Sequence, residues 1–213
     1  MRRAFTDFAV AHNGSVLVET AIVMPIFLMI VLCSIDFLFA FYQWSAAAKA
    51  VQIGLRIAVV SDPVAKGLGG LAAAAVGPNA PPGSPLPAFV VTCDGASETC
   101  NCRGSCSGVG GYDVSAMNAI VRGRNSEACG YGAGVYQLGM CDVFRPLTAA
   151  NVMIEYQGAR LGYAGRPGSV PTITLSLHNV PFQFVFLRSL LGTVPIPALT
   201  ASMTAEDMSS TAD

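Results

Sequence analysis

Glu19 lies one helical turn inside an apolar run that reaches residue 35, and its placement constrains this chain more than any other feature. A charged side chain in hydrocarbon is disfavoured by about 2.5–3.5 kcal/mol on insertion scales, so a carboxylate there needs a partner. The preceding residues offer one. Gly14 and Ser15 stand directly before Val16-Leu17-Val18-Glu19, and a cut between Gly14 and Ser15 would leave a free α-amino group on Ser15. That group would lie four residues before Glu19 on the same helix face, where a cation and a carboxylate meet.

The stretch from 16 to 42 is apolar apart from acidic punctuation. At 1.5 Å per residue it would be about 40 Å long, more than a bilayer core of about 30 Å requires. A cleaved secretory signal is the competing reading, because Arg2 and Arg3 form a positive start and Ala46-Ala47-Ala48 imitates a small-residue cleavage site. Signal peptides, however, carry an apolar region of only about 7–15 residues. The length therefore predicts a retained anchor. Arg2 and Arg3 outweigh Asp7 before the run, while the flank after it begins with Asp36 and stays nearly neutral until Lys49. The positive-inside rule then puts the N-terminus in the cytoplasm and everything beyond the helix outside it. Asp36, about 17 residues after Glu19, is expected to mark the outer membrane interface. Pro25 either kinks the helix or marks a locally melted stretch, and both readings stay open.

A short polar leader ending in Gly, a cleavage point, Glu as fifth mature residue and then an apolar helix together resemble a prepilin processed by a prepilin peptidase. Residues 14–56, with Glu19-Thr20-Ala21, Met24-Pro25, Ile35-Asp36 and the closing Gly54-Leu55-Arg56, resemble the TadE/TadG-like minor pilin (pseudopilin) family of tight-adherence pili. Thr20 stands where the major pilins of that system carry an aromatic, and Leu55 interrupts a usual Gly-Ala-Arg run. The first departure and the length favour a minor subunit. The resemblance implies processing between Gly14 and Ser15, a role for Glu19 in assembly, and a long N-terminal helix followed by a small sheet-bearing head. The partners it implies are the prepilin peptidase, other pilin and pseudopilin subunits, the pilus assembly platform and membrane lipid. The implied location is the bacterial inner membrane, single-pass, with the head periplasmic or carried out in a pilus.

Residues 46–60 contain no Pro and one Gly, so the helix is predicted to continue as one rod of about 65–70 Å. Ala47, Ala50, Val51, Gly54, Ile57 and Ala58 share one face, opposite Lys49, Gln52 and Arg56. That small-residue stripe suits packing against its own domain or against a neighbouring subunit. Ser61-Asp62-Pro63 ends the rod, because Pro disfavours helix in the residue before it. The predicted organisation is a leader over 1–14, a spanning and extended helix over 15–60, a Gly/Ala/Pro-rich linker over 61–90, whose residues 66–75 can form a short helix, and a head over 91–213.

Seven cysteines are present. Cys33 falls in the apolar helix and reads as a small hydrophobe. Cys93, Cys100, Cys102, Cys106, Cys129 and Cys141 form an even set downstream of an export anchor, the pattern of up to three disulfides among 15 possible connectivities. Zinc is the competitor, but the Cys100-Cys102-Cys106 spacing lacks paired C-x2-C motifs and no His lies nearby. Gly/Ser-rich stretches around 104–111 and 130–139 are expected to be loops stapled by these bridges.

Residues 152–156 and 172–178 alternate in the manner of half-buried antiparallel strands, with Ile173, Leu175 and Leu177 on one face. Phe182, Phe184 and Phe186 alternate likewise, and 198–204 reads as a last strand with a small, hydroxylic face. The expected fold class is α+β, with the apolar face of the sheet packed on the outer half of the long helix.

The net charge of −1 and the 12% charged residues give no basic surface for nucleic acid. Beyond the leader's His12 the chain holds only His178, on a polar strand face. There is no nucleophile elbow, phosphate loop or zinc-helix motif, and Asp94, Glu98, Asp113, Glu127, Asp142 and Glu155 are scattered without ligand spacing. No cofactor and no enzymatic role are expected. A minor pseudopilin that primes or assembles a filament is the leading function. The alternatives are an unprocessed, membrane-anchored extracytoplasmic binding or adhesion module, with Tyr112, Tyr131 and Tyr136 as candidate contact residues, and an anchored envelope enzyme.

Overall fold

A computed structural model describes residues 12–71, 81, 83–106, 108–124, 128–130, 137–158, 170–188 and 192–205, with side chains from residue 16 onward. It contains helix α1 (His12–Val59), strands β1 (Phe89–Asp94) and β2 (Thr99–Gly104), helices α2 (Val114–Arg122) and α3 (Met140–Val143), a 3-10 turn at Ala149–Asn151, and strands β3 (Val152–Gly158), β4 (Thr172–Leu177) and β5 (Leu199–Thr204). The chain divides into two compact units. One comprises Met1–Tyr42 and Phe182–Val194, the other Gln43–Pro181 and Pro195–Asp213.

The larger unit is built on one antiparallel sheet of order β2-β1-β3-β4-β5. Its α+β architecture is the one the sequence pattern predicts. Phe89, Val91 and Cys93 of β1, Val152, Ile154 and Tyr156 of β3, and Ile173, Leu175 and Leu177 of β4 are buried on one face. Residues 43–59 of α1 cover that face. Ala47, Ala50, Val51, Ile57 and Ala58 are all buried, whereas Lys49, Gln52 and Arg56 are exposed. The small-residue stripe is thus spent within the chain, and Gly54 explains why it is small. A Cβ on Gly54 would collide with Met140 Sδ and come within 3.2 Å of Leu175 Cδ1.

Two expectations need correction here. Residues 61–71 were predicted as the start of a loose linker, yet Val64, Ala65, Leu68 and Leu71 are core residues. The segment is held by backbone bonds from Lys66 N–H to Gly111 O, Gly110 N–H to Lys66 O and Asp113 N–H to Val64 O. The Val64 N–H donates to the buried Tyr156 hydroxyl at 3.0 Å, so its polar groups are satisfied although no regular element contains them. At the other end, Phe89 and Val90 already belong to β1, and residues 72–80 of that linker lie outside the described set. The second correction concerns 182–186, which form no strand despite the alternating Phe. The sheet ends at β5, paired to β4 from Thr172↔Thr204 to Leu177↔Leu199.

β1 and β2 were not anticipated. They form a hairpin whose turn follows Asp94-Gly95, and Asp94 accepts from Ala96 N–H and Ser97 Oγ. Glu98 takes the left-handed conformation that completes the turn, with φ 52°.

Candidate membrane and assembly site

The smaller unit reverses the usual arrangement of polar and apolar groups. Along α1, Val16, Leu17, Ile22, Phe27, Ile30, Leu38 and Phe41 are all exposed, and within 16–59 lies a window apolar and long enough to cross a bilayer. Two of its hydroxyl groups turn back on their own helix. Thr20 Oγ1 donates to Val16 O and to Leu17 O, and Ser34 Oγ donates to Ile30 O at 2.8 Å. Such i−4 bonding lets a hydroxyl sit in a medium that supplies no partner.

The residues expected to govern processing lie at the start of this helix. The backbone at Gly14 and Ser15 is helical and continuous with the apolar stretch. Glu19 is exposed one turn further on, at the i+4 spacing from Ser15. Pro25 is accommodated inside α1, which runs through it without interruption.

Asp36, expected to mark the outer membrane interface, is buried within its own unit. Its side chain is 0% exposed. Oδ1 accepts from Val185 N–H at 2.9 Å, and Oδ2 accepts from Phe186 N–H at 2.8 Å and Leu187 N–H at 2.6 Å. Three consecutive amides on one carboxylate form an anion-binding turn of the kind that helix starts provide. The segment that donates them is itself closed. Phe182 N–H donates to Val194 O at 2.7 Å, and Gly192 N–H donates to Arg188 O at 3.1 Å with Gly192 at φ 65°. Phe182 and Phe184 pack with ring centroids 6.0 Å apart. Sequence reasoning missed this pairing because 149 residues separate Asp36 from Val185, and no local pattern links them. The available signal was an acidic residue inside an apolar helix together with a second apolar stretch rich in Phe.

In the larger unit the six candidate cysteines are all bridged, as Cys93–Cys100, Cys102–Cys106 and Cys129–Cys141, while Cys33 is free. Cys93 and Cys100 are register partners across the β1–β2 hairpin. The carboxylates expected as surface groups also act on the backbone. Asp142 accepts from Gly130 N–H at 2.6 Å and Gly139 N–H at 2.8 Å, beside the Cys129–Cys141 bridge. Asp113 caps α2 through Oδ1, which accepts from Ser115 N–H at 2.9 Å, Ala116 N–H at 3.2 Å and the Ser115 hydroxyl. The Ser115 hydroxyl and those amides hold the Asp113 carboxyl below its ordinary value against the opposing effect of burial.

Tyr112 is half-buried, and burial together with the Glu98 and Asp94 carboxylates pushes its phenol up to about 12. Tyr131 and Tyr136 lie outside the described residues. His178 Nε2 pairs with Ser176 Oγ at 2.9 Å on the polar face of the sheet. Among the described residues no group of three or more His, Cys, Asp or Glu is placed to hold a metal.

Residues 14–56 match the family described as TadE-like protein. The match begins at the expected cleavage residue and ends where α1 has turned from an exposed apolar surface to a buried one. Neither a curated protein nor a solved structure matches the chain.

Proposed function

With a TadE-like segment at residues 14–56 as the premise, we propose that the chain is a minor pseudopilin that helps to prime or assemble a tight-adherence pilus. The segment supports the coarser reading of a membrane-anchored, structural component associated with such pili. The finer reading is that a prepilin peptidase cuts between Gly14 and Ser15, leaving the helix in the inner membrane with its N-terminus cytoplasmic. Other pilin and pseudopilin subunits and the assembly platform are the partners in that reading, with lipid around the helix before assembly.

The observation that carries it is the coincidence of the TadE-like match with the Gly14-Ser15-Glu19 spacing at the head of an exposed apolar helix. After cleavage the Ser15 amine, its own or a neighbour's, would pair with Glu19, because hydrocarbon solvates neither charge. The helix through Gly14 must open for a peptidase to reach the bond, and glycine, about 1 kcal/mol poorer than alanine in a helix, makes that opening easier.

Mass spectrometry of the membrane-extracted protein, from cells with and without the peptidase, tests the proposal. A start at Ser15 only in the presence of the peptidase is the expected result. An intact N-terminus in both strains would favour the anchored binding module, whose support is a larger unit in which glycine-rich loops are tied down by three disulfides.

A further inference from the structure

Asp36 and the segment it holds carry an inference about the membrane that rests on the spanning-helix reading above. At 1.5 Å per residue, Asp36 stands about 30 Å along α1 from Val16, one hydrocarbon thickness. Exposed apolar side chains continue beyond it at Phe37, Leu38, Phe41 and Tyr42. The carboxylate therefore falls within the apolar band, not past its end.

Any backbone fixed at that level also lies in or against the bilayer, where irregular backbone is tolerated only when its polar groups are satisfied. At least four of the seven amides of 182–188, and the Arg188 carbonyl, have hydrogen-bond partners. The amides of 185–187 bond Asp36, that of Phe182 bonds Val194 O and that of Gly192 bonds Arg188 O. Its outward side chains are apolar, with Val185 62% and Phe186 46% exposed. Arg188, also exposed, follows them with the reach to place its cation among lipid phosphates.

We propose that residues 182–188 are a second membrane contact, an apolar element lying in the acyl–headgroup boundary of the leaflet nearer Asp36 and latched to the spanning helix by that carboxylate. The occupant of its exposed face is lipid. The arrangement solves two problems together: the membrane-embedded carboxylate gains donors, and the interfacial backbone gains an acceptor. A single-pass anchor thereby acquires a defined rotation and depth, because a helix alone can turn about its axis and tilt.

Tryptophan quenching in proteoliposomes tests this with the full chain. The single native tryptophan is first removed by Trp44→Phe, and Phe186→Trp or Ile30→Trp is then added. Phosphatidylcholine brominated on its acyl chains and aqueous iodide serve as quenchers. Brominated lipid is expected to quench the Phe186→Trp probe at least about half as strongly as the Ile30→Trp probe, with little quenching by iodide.

Quenching at 186 by iodide but not by brominated lipid overturns the proposal, as does protection from both, which would mean a protein neighbour covers the face. Either result with normal lipid quenching at 30 leaves the anchor standing, whereas loss of lipid quenching at 30 removes the spanning-helix reading itself. Adding Asp36→Ala to the Phe186→Trp chain is expected to lower its lipid quenching by about twofold or more and to raise iodide quenching, since a carboxylate with three amide bonds is removed. Unchanged quenching would sink the latch. Should that variant not accumulate, the Asp36-containing chain still decides the lipid contact.

Discussion

Asp36 and Asp113 do the same chemical task in two different surroundings. Each accepts consecutive backbone amides at the start of a turn, yet Asp113 is half-exposed at a helix start in the disulfide-bearing unit and Asp36 is fully buried in a unit whose surface is hydrocarbon-like. In the larger unit, apolar side chains fill the interior and carboxylates cap turns from the water side. In the smaller unit the apolar side chains face outward and the carboxylate is the interior. The contrast teaches that a sequence's apolar residues do not by themselves say which way is in; the location of the satisfied polar groups does.

The largest expected effect tests the conventional core. Leu175→Ala removes a fully buried side chain packed near Gly54 and should lower the stability of the larger unit by about 2–5 kcal/mol in denaturant unfolding. A loss under about 1 kcal/mol would mean that the buried sheet face does not act as the core.

Asp36→Asn comes next and tests the inverted interior. Its two oxygens divide the three amides, so an amide nitrogen must face at least one N–H whichever way it is turned. Hydrogen exchange at 185–187 in lipid should accelerate about tenfold to a hundredfold, the equivalent of about 1–3 kcal/mol for a buried unsatisfied group. Tyr156→Phe is its counterpart in the larger unit. It takes the acceptor from the buried Val64 N–H and should cost about 1–3 kcal/mol, read as a lower unfolding midpoint.

Asp113→Asn closes the series with the smallest change, within about 0.5 kcal/mol at neutral pH, because all three bonds go to one oxygen that an amide retains. A large loss there would erase the distinction between the two aspartates. The acid limb sharpens it. With its carboxyl held below the ordinary value, Asp113 stabilises the fold fully above about pH 4, a contribution lost as pH falls through the folded-state value. Asp113→Asn should remove that part of the acid dependence. At the other extreme, Tyr112, pushed up to about 12, contributes below its ordinary value near 10 and loses that contribution as pH rises from 10 to 12. Difference absorbance of the phenols should record the late titration.

The parts legible in the sequence were those whose cause is local. The long apolar helix, β3, β4 and β5 follow from runs and alternation, and the stripe at 47–58 follows from helical spacing. The β1–β2 hairpin carries a local signal, Asp94-Gly95 after Phe89-Val90-Val91, but Cys93, Cys100 and Cys102 within its strands and the Gly/Ser-rich stretch that follows have the composition of a stapled loop. The alternating Phe residues at 182–186 had the period of a strand but not its surroundings. Pro181 and Pro195 flank the excursion and bridge each other within the larger unit, and the amides at 185–187 serve a carboxylate in place of a neighbouring strand. Asp36 was legible as an anomaly and illegible as a contact, since its partners come from the far end of the chain. Residues 64–71 misled for a similar reason, since their packing depends on Tyr156 and Gly111 and not on any repeat of their own.

The three disulfides join cysteines that are consecutive along the head, with sequence separations of 7, 4 and 12. No bridge encloses another. If the head is exported as proposed and threads vectorially into an oxidising compartment, each thiol meets its proper partner before the next pair arrives, so the 15 combinatorial pairings are never all in competition. Order of emergence can thus do the sorting that, in a head with nested bridges, would fall to an isomerase reshuffling mispaired thiols.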